Sequence, residues 1–334
     1  MSAVNGATSS REEVIEEIRG AERFVLVTHE NPDGDALGSL AAMQLVLASL
    51  GKDAVSIMAP SEFPLPNEYG FIELHGLVNE PPADVEQRTI VFLDCGNIDR
   101  NPSEALRGEN AHILNIDHHH DNTRFGTVDH VVPDASCTAE VIWDLMQGLG
   151  VAATLPIAEA LYVGLVTDTG KFMYENTGPR AHEMAADLIA AGVDVHAIYR
   201  RLYEGVPQAK LDLLARGLSS VKRFDEGMLT LTHLTREDYR VTGADESFSE
   251  GVVDHLRALE GTAMAGLVRD LDCNGQLDPP RRKVSLRATD DRVDVSEIAR
   301  AQGGGGHRRA AGFSTTLEFD ELVEFLRGGL AEQL

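Results

Sequence analysis

Three short apolar runs constrain the fold of this chain more than any other feature of its sequence. They lie at residues 24–27, 89–93 and 112–116, and each is too short for a helix. Longer segments with helical character follow them, including 36–50, 138–149 and 156–167. Short buried strands that alternate with helices are typical of a largely parallel sheet covered by helices. Ligands of such sheets bind outside the carboxyl ends of the strands.

The length of the chain predicts more than one domain. Its 334 residues exceed the usual size of a single hydrophobic core. We predict an N-terminal α/β domain over residues 1–190 with a mainly parallel sheet, a helical connector over 191–220, and a smaller C-terminal α/β domain over 221–334. In the last of these we expect a helix at 248–259, and a turn at Asn274-Gly275 between strands at 262–269 and 283–287.

Charge and cysteine usage exclude several classes of protein. The net charge of −25 argues against binding to long duplex nucleic acid or to an anionic membrane through a basic surface. Three cysteines without CxxC spacing favour reduced thiols. The first twenty residues do not resemble a signal peptide, and no apolar run has the length of a membrane span, so we expect a cytoplasmic protein.

Acidic and histidine residues follow the apolar segments in four clusters. A single cluster of this kind is common in a solvated turn, but four of them at the ends of buried segments favour a metal site. Crowded carboxylates repel one another unless cations lie between them, and a His/Asp set without thiolate suits Mn²⁺. The clusters are His29-x3-Asp33-x-Asp35, Asp94, Asp117-His118-His119 and Asp168.

A glycine-rich segment in the C-terminal half is a candidate phosphate-binding loop. Residues 303–306 are all glycine, which lets a backbone approach a phosphate or a base closely. His307, Arg308 and Arg309 follow, and the planar fork of arginine suits bidentate phosphate recognition. The alternative is a flexible linker. Arg287, at a predicted strand end, is either a further phosphate ligand or an exposed arginine. We expect the basic run at 281–283 to be a solvated loop.

Two motifs in this order resemble the DHH phosphoesterases. Residues 27–39, VTHENPDGDALGS, together with the other three clusters, resemble the N-terminal motifs of that family, and residues 303–312, GGGGHRRAAG, resemble its C-terminal DHHA1 domain. The family includes RecJ exonucleases, manganese pyrophosphatases, exopolyphosphatases and bifunctional oligoribonuclease/pAp phosphatases. The resemblance implies that residues 1–190 are a DHH domain, that 221–334 are a DHHA1 domain, and that the active site lies in the cleft between them.

The resemblance also implies roles for individual residues. Two divalent ions are expected, Mn²⁺ with Mg²⁺ or Co²⁺ as alternatives. Ligands of the first ion would be His29 and Asp33, ligands of the second would be Asp35, His118 and Asp168, and Asp94 would bridge the two. The other catalytic residues would be His119, which would face the scissile phosphate, and Asp117, which would orient a ligand histidine. The substrate-binding residues would be Gly304, Gly305, Gly306, His307, Arg308, Arg309, Arg287 and Asn122. We expect His120 to be exposed.

The family contains several activities, and the two-domain layout resembles the oligoribonuclease/pAp phosphatase group. We therefore predict hydrolysis of short oligoribonucleotides, pAp, and linear or cyclic dinucleotides by attack of a water activated by two metal ions. One alternative is a manganese-dependent inorganic pyrophosphatase or exopolyphosphatase, which would share the metal site. Another is a nucleotide sensor without catalysis, which predicts missing ligands. A homodimer is left open.

Overall fold

The structure is a computed structural model that describes residues 8–101, 103–108, 111–271 and 281–334. The chain divides into two compact units, Met1–Glu204 and Gly205–Leu334. This division falls inside the segment predicted as a connector. Among the described residues, no helix combines the length and the apolar character needed to cross a bilayer.

A six-stranded parallel sheet forms the centre of the N-terminal unit. Its strands are β1 Arg23–Val27, β2 Asp53–Ile57, β3 Leu77–Val78, β4 Thr89–Leu93, β5 Ile113–Asp117 and β6 Val128–Val131. Their order is β3-β2-β1-β4-β5-β6, and every neighbouring pair is parallel. The order reverses between β1 and β4, so these two strands define a topological switch point, where open parallel sheets bind ligands.

Among the residues that the structure describes, six α-helices accompany this sheet. They are α1 Arg11–Gly20, α2 Gly34–Ser49, α3 Thr138–Leu149, α4 Leu155–Asp168, α5 Pro179–Ala190 and α6 Val195–Tyr203. Alternate residues of β1 enter two separate hydrophobic clusters: Phe24 and Leu26 pack with the helices, and Val25 and Val27 lie on the opposite face of the sheet. The predicted α/β class, with helices flanking a parallel sheet, is confirmed.

Helices α2 and α4 approach each other closely because glycines lie at their contact. A Cβ atom on Gly38 would come within 2.4 Å of the Ala160 carbonyl oxygen. A Cβ atom on Gly164 would lie 2.7 Å from both the Cβ of Ala139 and a carboxylate oxygen of Asp35. No other residue type fits at these two positions without displacing a helix, so the glycines set the spacing between the elements that carry Asp35 and Asp168.

The C-terminal unit contains a second sheet of six strands. These are β7 Lys222–Phe224, β8 Leu229–Leu234, β9 Met264–Asp270, β10 Arg282–Ala288, β11 Gly305–His307 and β12 Ala310–Thr315. Their order is β11-β12-β10-β9-β8-β7, antiparallel except for the parallel pair β8/β9. The helices of this unit are α7 Gln208–Ser219, α8 Arg236–Thr242, α9 Val252–Arg257, α10 Val295–Arg300 and α11 Phe319–Ala331.

Two expectations for the C-terminal unit are wrong, and one lies outside the described residues. The basic run at 281–283 is not a solvated loop, because Arg282 begins β10, is 7% exposed, and donates to Glu318 at 2.8 Å. The helix expected at 248–259 is interrupted at Gly251, whose φ of 83° no helix accommodates. The turn at Asn274-Gly275 lies in the part of the chain that the structure does not describe.

Candidate metal centre

The polar clusters of the N-terminal unit lie at the carboxyl ends of three adjacent strands. His29 follows β1, Asp94 follows β4, and Asp117 is the last residue of β5. Since β4 lies between β1 and β5, these side chains share one edge of the sheet. Asp35 in the first turn of α2 and Asp168 at the end of α4 are brought close by the glycine contact of their helices.

The structure brings the predicted ligands into three overlapping groups. Within each group, one candidate ligand atom from every residue lies within 4.8 Å of the others. The groups are His29, Asp33 and Asp94; Asp94, His118 and His119; and Asp35, His118 and Asp168. Because Asp94 and His118 each belong to two groups, the three groups form one continuous set that contains all six residues expected as metal ligands.

Asp94 lies at the centre of this set. One carboxylate oxygen, Oδ2, is 3.7 Å from His29 Nε2, and the other, Oδ1, is 3.8 Å from His118 Nε2. The Thr138 hydroxyl donates to Oδ1 at 3.0 Å. Burial alone would raise the pKa of Asp94, but the neighbouring imidazoles of His29, His119 and His118 outweigh burial and hold the pKa below its usual range. The carboxylate is therefore ionised and presents one oxygen to each side.

Backbone carbonyls orient the two histidines that flank Asp94. His29 Nδ1 lies 2.7 Å from the Glu30 oxygen, and His118 Nδ1 lies 3.3 Å from the Ala135 oxygen. A carbonyl accepts only, so each Nδ1 donates, and Nε2 is the ring nitrogen that is left for a metal ion. Both Nε2 atoms face carboxylates, His118 Nε2 being 3.6 Å from Asp168 Oδ2. Imidazoles that bind metals are usually held in this way.

Two further carboxylates of the site are buried near other negative charges. Asp35 accepts hydrogen bonds from the backbone nitrogens of Thr138 at 2.6 Å and Ala139 at 3.0 Å, in the first turn of α3. Burial, followed by the charges of Asp94 and Asp168, raises its pKa. Burial likewise raises the pKa of Asp168 to about 7. Ionised carboxylates in this position are unfavourable unless a cation lies between them, so the donor set fits divalent ions.

His119 and Asp117 form a separate hydrogen-bonded pair beside Asp94. His119 Nδ1 donates to Asp117 Oδ1 at 2.7 Å, so the ring that Asp117 orients belongs to His119 and not to the ligand candidate His118. Burial alone would lower the pKa of His119, but the hydrogen bond to Asp117 and the charge of Asp94 outweigh it and raise that pKa to about 9. An imidazolium therefore lies beside the candidate metal ligands.

Asn122 lies beneath this pair and is 9% exposed. Its amide nitrogen donates to Asp117 Oδ2 at 2.5 Å, and its oxygen accepts from Asn115 at 2.9 Å and from the Arg124 nitrogen at 2.7 Å. The geometry thus supports a role in holding Asp117 rather than the contact with substrate that was expected.

The sequence did not identify two residues that hold the carboxylates. Thr138 binds Asp94 through its hydroxyl and Asp35 through its backbone. Asn176 donates to Asp168 Oδ2 at 3.2 Å and to the Ser136 oxygen at 2.7 Å. Each is a common polar residue in a helix cap or a loop, and only its contact with a distant aspartate distinguishes it.

Cys95 and His120 lie next to candidate site residues in the sequence. The Cys95 thiol is buried next to Asp94, and burial raises its pKa to about 12, so it remains a protonated packing group. His120 is exposed, as expected.

The glycine-rich segment is part of a sheet and not only a loop. Residues 305–307 form β11, and Arg308 and Arg309 make the two-residue turn to β12. A Cβ atom on Gly304 would meet the Gly312 oxygen at 2.2 Å, whereas nothing lies within 4 Å of one on Gly305. Arg308 donates to the Asp291 backbone oxygen at 2.6 Å, and Arg309 pairs with the Asp291 carboxylate.

Arg287 lies in β10, 3.6 Å from Asp254.

A parallel sheet with histidine and aspartate residues at its switch point, followed by a second α/β domain, defines a two-domain phosphoesterase of the DHH type. The family profiles agree: residues 23–165 match the DHH family, N-terminal domain, and residues 239–332 match the DHHA1 domain. A relative from Thermus thermophilus, named bifunctional oligoribonuclease and PAP phosphatase NrnA, is 32% identical over 325 residues, covering 96% of this chain and 93% of its own length. The chain therefore belongs to the DHH family, with an N-terminal DHH domain and a C-terminal DHHA1 domain.

Solved structures agree on the fold. An exopolyphosphatase-related protein from Bacteroides fragilis aligns with a TM-score of 0.85 and 24% identity over 96% of this chain and 95% of its own. RecJ from Thermus thermophilus, solved in complex with Mn²⁺, aligns with a TM-score of 0.54 and 17% identity over 97% of this chain and 54% of its own. At these identities the likeness concerns the fold alone.

Proposed function

We propose that this member of the DHH family is a metal-dependent phosphoesterase that hydrolyses short oligoribonucleotides, pAp, and linear or cyclic dinucleotides. The observation that carries the proposal is the convergence of His29, Asp33, Asp35, Asp94, His118 and Asp168 at one sheet edge. The Thermus thermophilus relative, which aligns over nearly the whole chain, is named as an oligoribonuclease and PAP phosphatase, and this supports the choice of substrates.

We further propose that two divalent ions bind here, with Mn²⁺ preferred and Mg²⁺ or Co²⁺ as alternatives. His29 and Asp33 would hold one ion, Asp35, His118 and Asp168 the other, and Asp94 both. The two oxygens of Asp94 face different histidines, which supports the shared role. When bound, a pair of divalent ions supplies activation of water and neutralisation of the phosphoryl group.

The remaining residues of the site would act on the reacting phosphate and on one another. His119, with its pKa raised to about 9, would hold a positive charge where negative charge develops on the phosphoryl oxygens. Asp117 would fix the ring of His119 through its 2.7 Å hydrogen bond, and Asn122 would fix Asp117. Asp117 and Asn122 are buried, so they restrict the imidazolium to one orientation.

Contacts to the rest of the nucleotide would come from the C-terminal unit. We propose that Arg308 and Arg309, at the hairpin turn, bind a phosphate together with His307 and Arg287. Of the glycines, Gly305 has an open Cβ direction, which supports close approach of a ligand there, while Gly304 and Gly306 are needed for packing on β12. The expected position of the active site between the two domains stays a prediction.

A substrate panel with Mn²⁺ tests this function. It compares pAp, di- to pentaribonucleotides, pApA, cyclic di-AMP and pyrophosphate, with phosphate release or nucleotide products as the readout. We expect turnover of the nucleotides and a low rate with pyrophosphate. A rate with pyrophosphate above that with pAp would instead favour a pyrophosphatase, and tight binding of a cyclic dinucleotide without turnover would favour a sensor.

A further inference from the structure

A cavity of about 230 Å³ lies in the N-terminal unit beside the candidate metal centre. Residues that follow β1 and β2 form most of its wall. Met58, Ala59 and Pro60 supply an apolar side, and Thr28, His29 and Glu62 supply a polar one. Because His29 also belongs to the first donor group, a ligand in this cavity lies next to the metal centre.

The volume of the cavity limits what it can hold. A cavity of roughly 150 Å³ in another protein accommodates benzene, and a water molecule occupies about 30 Å³. A space of about 230 Å³ is therefore too large for a single ion and too small for a dinucleotide. It matches one fused two-ring system, and its apolar wall suits a flat aromatic face.

The charged residues of the cavity wall restrict the chemical class of ligand that can bind. Glu30 and Glu62 both line the cavity, and neither forms an ion pair among the residues that the structure describes. Glu62 Oε2 accepts the Asn31 backbone nitrogen at 2.8 Å. Two carboxylates without a cation repel phosphate and favour a group that donates hydrogen bonds.

We propose that this cavity binds the purine base of a nucleotide whose phosphate lies at the metal centre. Adenine and guanine combine a two-ring aromatic face with amino donors for the carboxylates of Glu30 and Glu62. Uracil fits less well, because it has a single ring. Its two carbonyl oxygens carry partial negative charge and would face the carboxylates of Glu30 and Glu62. This inference rests on the proposed function for the origin of the nucleotide, but the cavity itself can be tested without turnover.

The first test is equilibrium binding of nucleosides to the full chain by calorimetry. We expect guanosine and adenosine to bind at least about tenfold more tightly than uridine. Glu62→Gln keeps an acceptor for the Asn31 nitrogen but removes the charge, and we expect it to weaken purine binding about tenfold. Glu80→Gln, the same change at an exposed neighbour outside the wall, is the matched control and should bind as the parent chain does.

A second variant keeps the proposal testable if the first variant misfolds. Glu30→Gln removes the charge of the other wall carboxylate at an exposed side chain, so the thermal midpoint should not fall while purine binding weakens. Unchanged purine binding in both variants would overturn the proposal, because neither carboxylate would then contact the base. Equal binding of uridine and purines would overturn it as well.

Turnover distinguishes the two proposals from each other. If the chain binds purine nucleosides but hydrolyses neither pApA nor bis(4-nitrophenyl) phosphate with Mn²⁺, the cavity assignment stands and the proposed function is wrong. If the chain hydrolyses pApA and pUpU with equal KM and binds no nucleoside, the proposed function stands and the cavity assignment is wrong.

Discussion

The backbone of Asp94 determines which substitution isolates the role of its carboxylate. Its φ is +56°, in the left-handed region that asparagine and aspartate tolerate better than other side chains. Asp94→Asn therefore removes charge without adding backbone strain, whereas alanine would change both. We expect Asp94→Asn to lower kcat with Mn²⁺ by at least about a hundredfold, because loss of groups that only orient metal ligands already costs 10–100-fold.

Steady-state kinetics with pApA would measure this effect, and circular dichroism would verify the fold. Asp134→Asn, at an exposed turn residue, is the control. A rate for Asp94→Asn within about threefold of the control would remove Asp94 from the mechanism.

The buried carboxylates predict how stability depends on pH and on metal. Burial and neighbouring charges raise the pKa of Asp168 to about 7 and also raise the pKa of Asp35, while an unfolded aspartate titrates near about 3.9. Between those values the folded state holds more protons than the unfolded state, so stability falls as pH rises from about 4 to about 7. A bound cation favours the ionised carboxylates and reverses this loss.

Thermal unfolding of the metal-free chain should therefore have a lower midpoint at pH 8 than at pH 6. Mn²⁺ should raise the midpoint more at pH 8. At roughly one hundred times its dissociation constant, an ion adds about 2.7 kcal/mol per site to the free energy of unfolding. An equal rise at both pH values would show that the ion does not bind at these carboxylates.

Thr138 offers a more selective test of how the ligands are held. Its hydroxyl donates to Asp94 at 3.0 Å, while its backbone nitrogen binds Asp35. Thr138→Val removes only the first contact, so we expect a 10–100-fold loss of Mn²⁺ affinity, as for other groups that orient metal ligands. Calorimetric titration with Mn²⁺ measures it. Thr154→Val, at the start of α4 where the side chain makes no capping bond, should leave the affinity unchanged.

At the scale of the helix, the contact between α2 and α4 predicts an unusual response to alanine. Alanine normally stabilises a helix over glycine by about 1 kcal/mol. At Gly38 the added methyl group would lie 2.4 Å from the Ala160 oxygen, and overpacking of this kind costs about 1–3 kcal/mol. We expect Gly38→Ala to lower the free energy of unfolding, measured in urea, by up to about 2 kcal/mol, the overpacking cost less the helix gain.

Gly328 in α11 is the matched helical glycine, because nothing lies within 4 Å of its Cβ direction. Gly328→Ala should raise the free energy of unfolding by up to about 1 kcal/mol. If Gly38→Ala raises the free energy of unfolding as much as Gly328→Ala does, stability does not require the close approach of α2 and α4.

The sequence predicted some elements to the residue and missed others for physical reasons. The bounds expected for β4 and α3, 89–93 and 138–149, are those of the structure. Strands β3 and β11 were missed because two or three residues carry no periodic pattern. Arg282 was misjudged because three basic residues in a row are usually solvated, whereas pairing of β10 between β9 and β12 buries this one against Glu318.

The candidate site was more predictable than the elements around it. The carboxyl ends of parallel strands meet at one edge, so the grouping of Asp94 with His29 and His118 follows from the strand pattern alone. Thr138 could not be found in this way, because its hydroxyl binds an aspartate 44 residues away and nothing local requires it.

At the scale of the whole molecule, the two units carry different residues of the proposed site. Each has its own hydrophobic clusters, and all six candidate metal ligands lie in the first unit. We expect a fragment of residues 8–204 to bind Mn²⁺ with affinity close to that of the full chain, and a fragment of residues 205–334 to fold without binding it. Calorimetry and circular dichroism measure both. Loss of Mn²⁺ affinity from the first fragment would mean that the second unit contributes ligands.

The order of the ligands along the chain has a consequence for biosynthesis. Proteins are generally translated at about 5–20 residues per second, and N-terminal domains fold first. The last candidate ligand, Asp168, ends α4, whose contact with α2 brings Asp35 and Asp168 together, so we expect the nascent chain to retain no ions here until that helix has left the ribosome. All the candidate ligands are then available, and we expect metal capture to precede translation of the sheet that begins at Lys222.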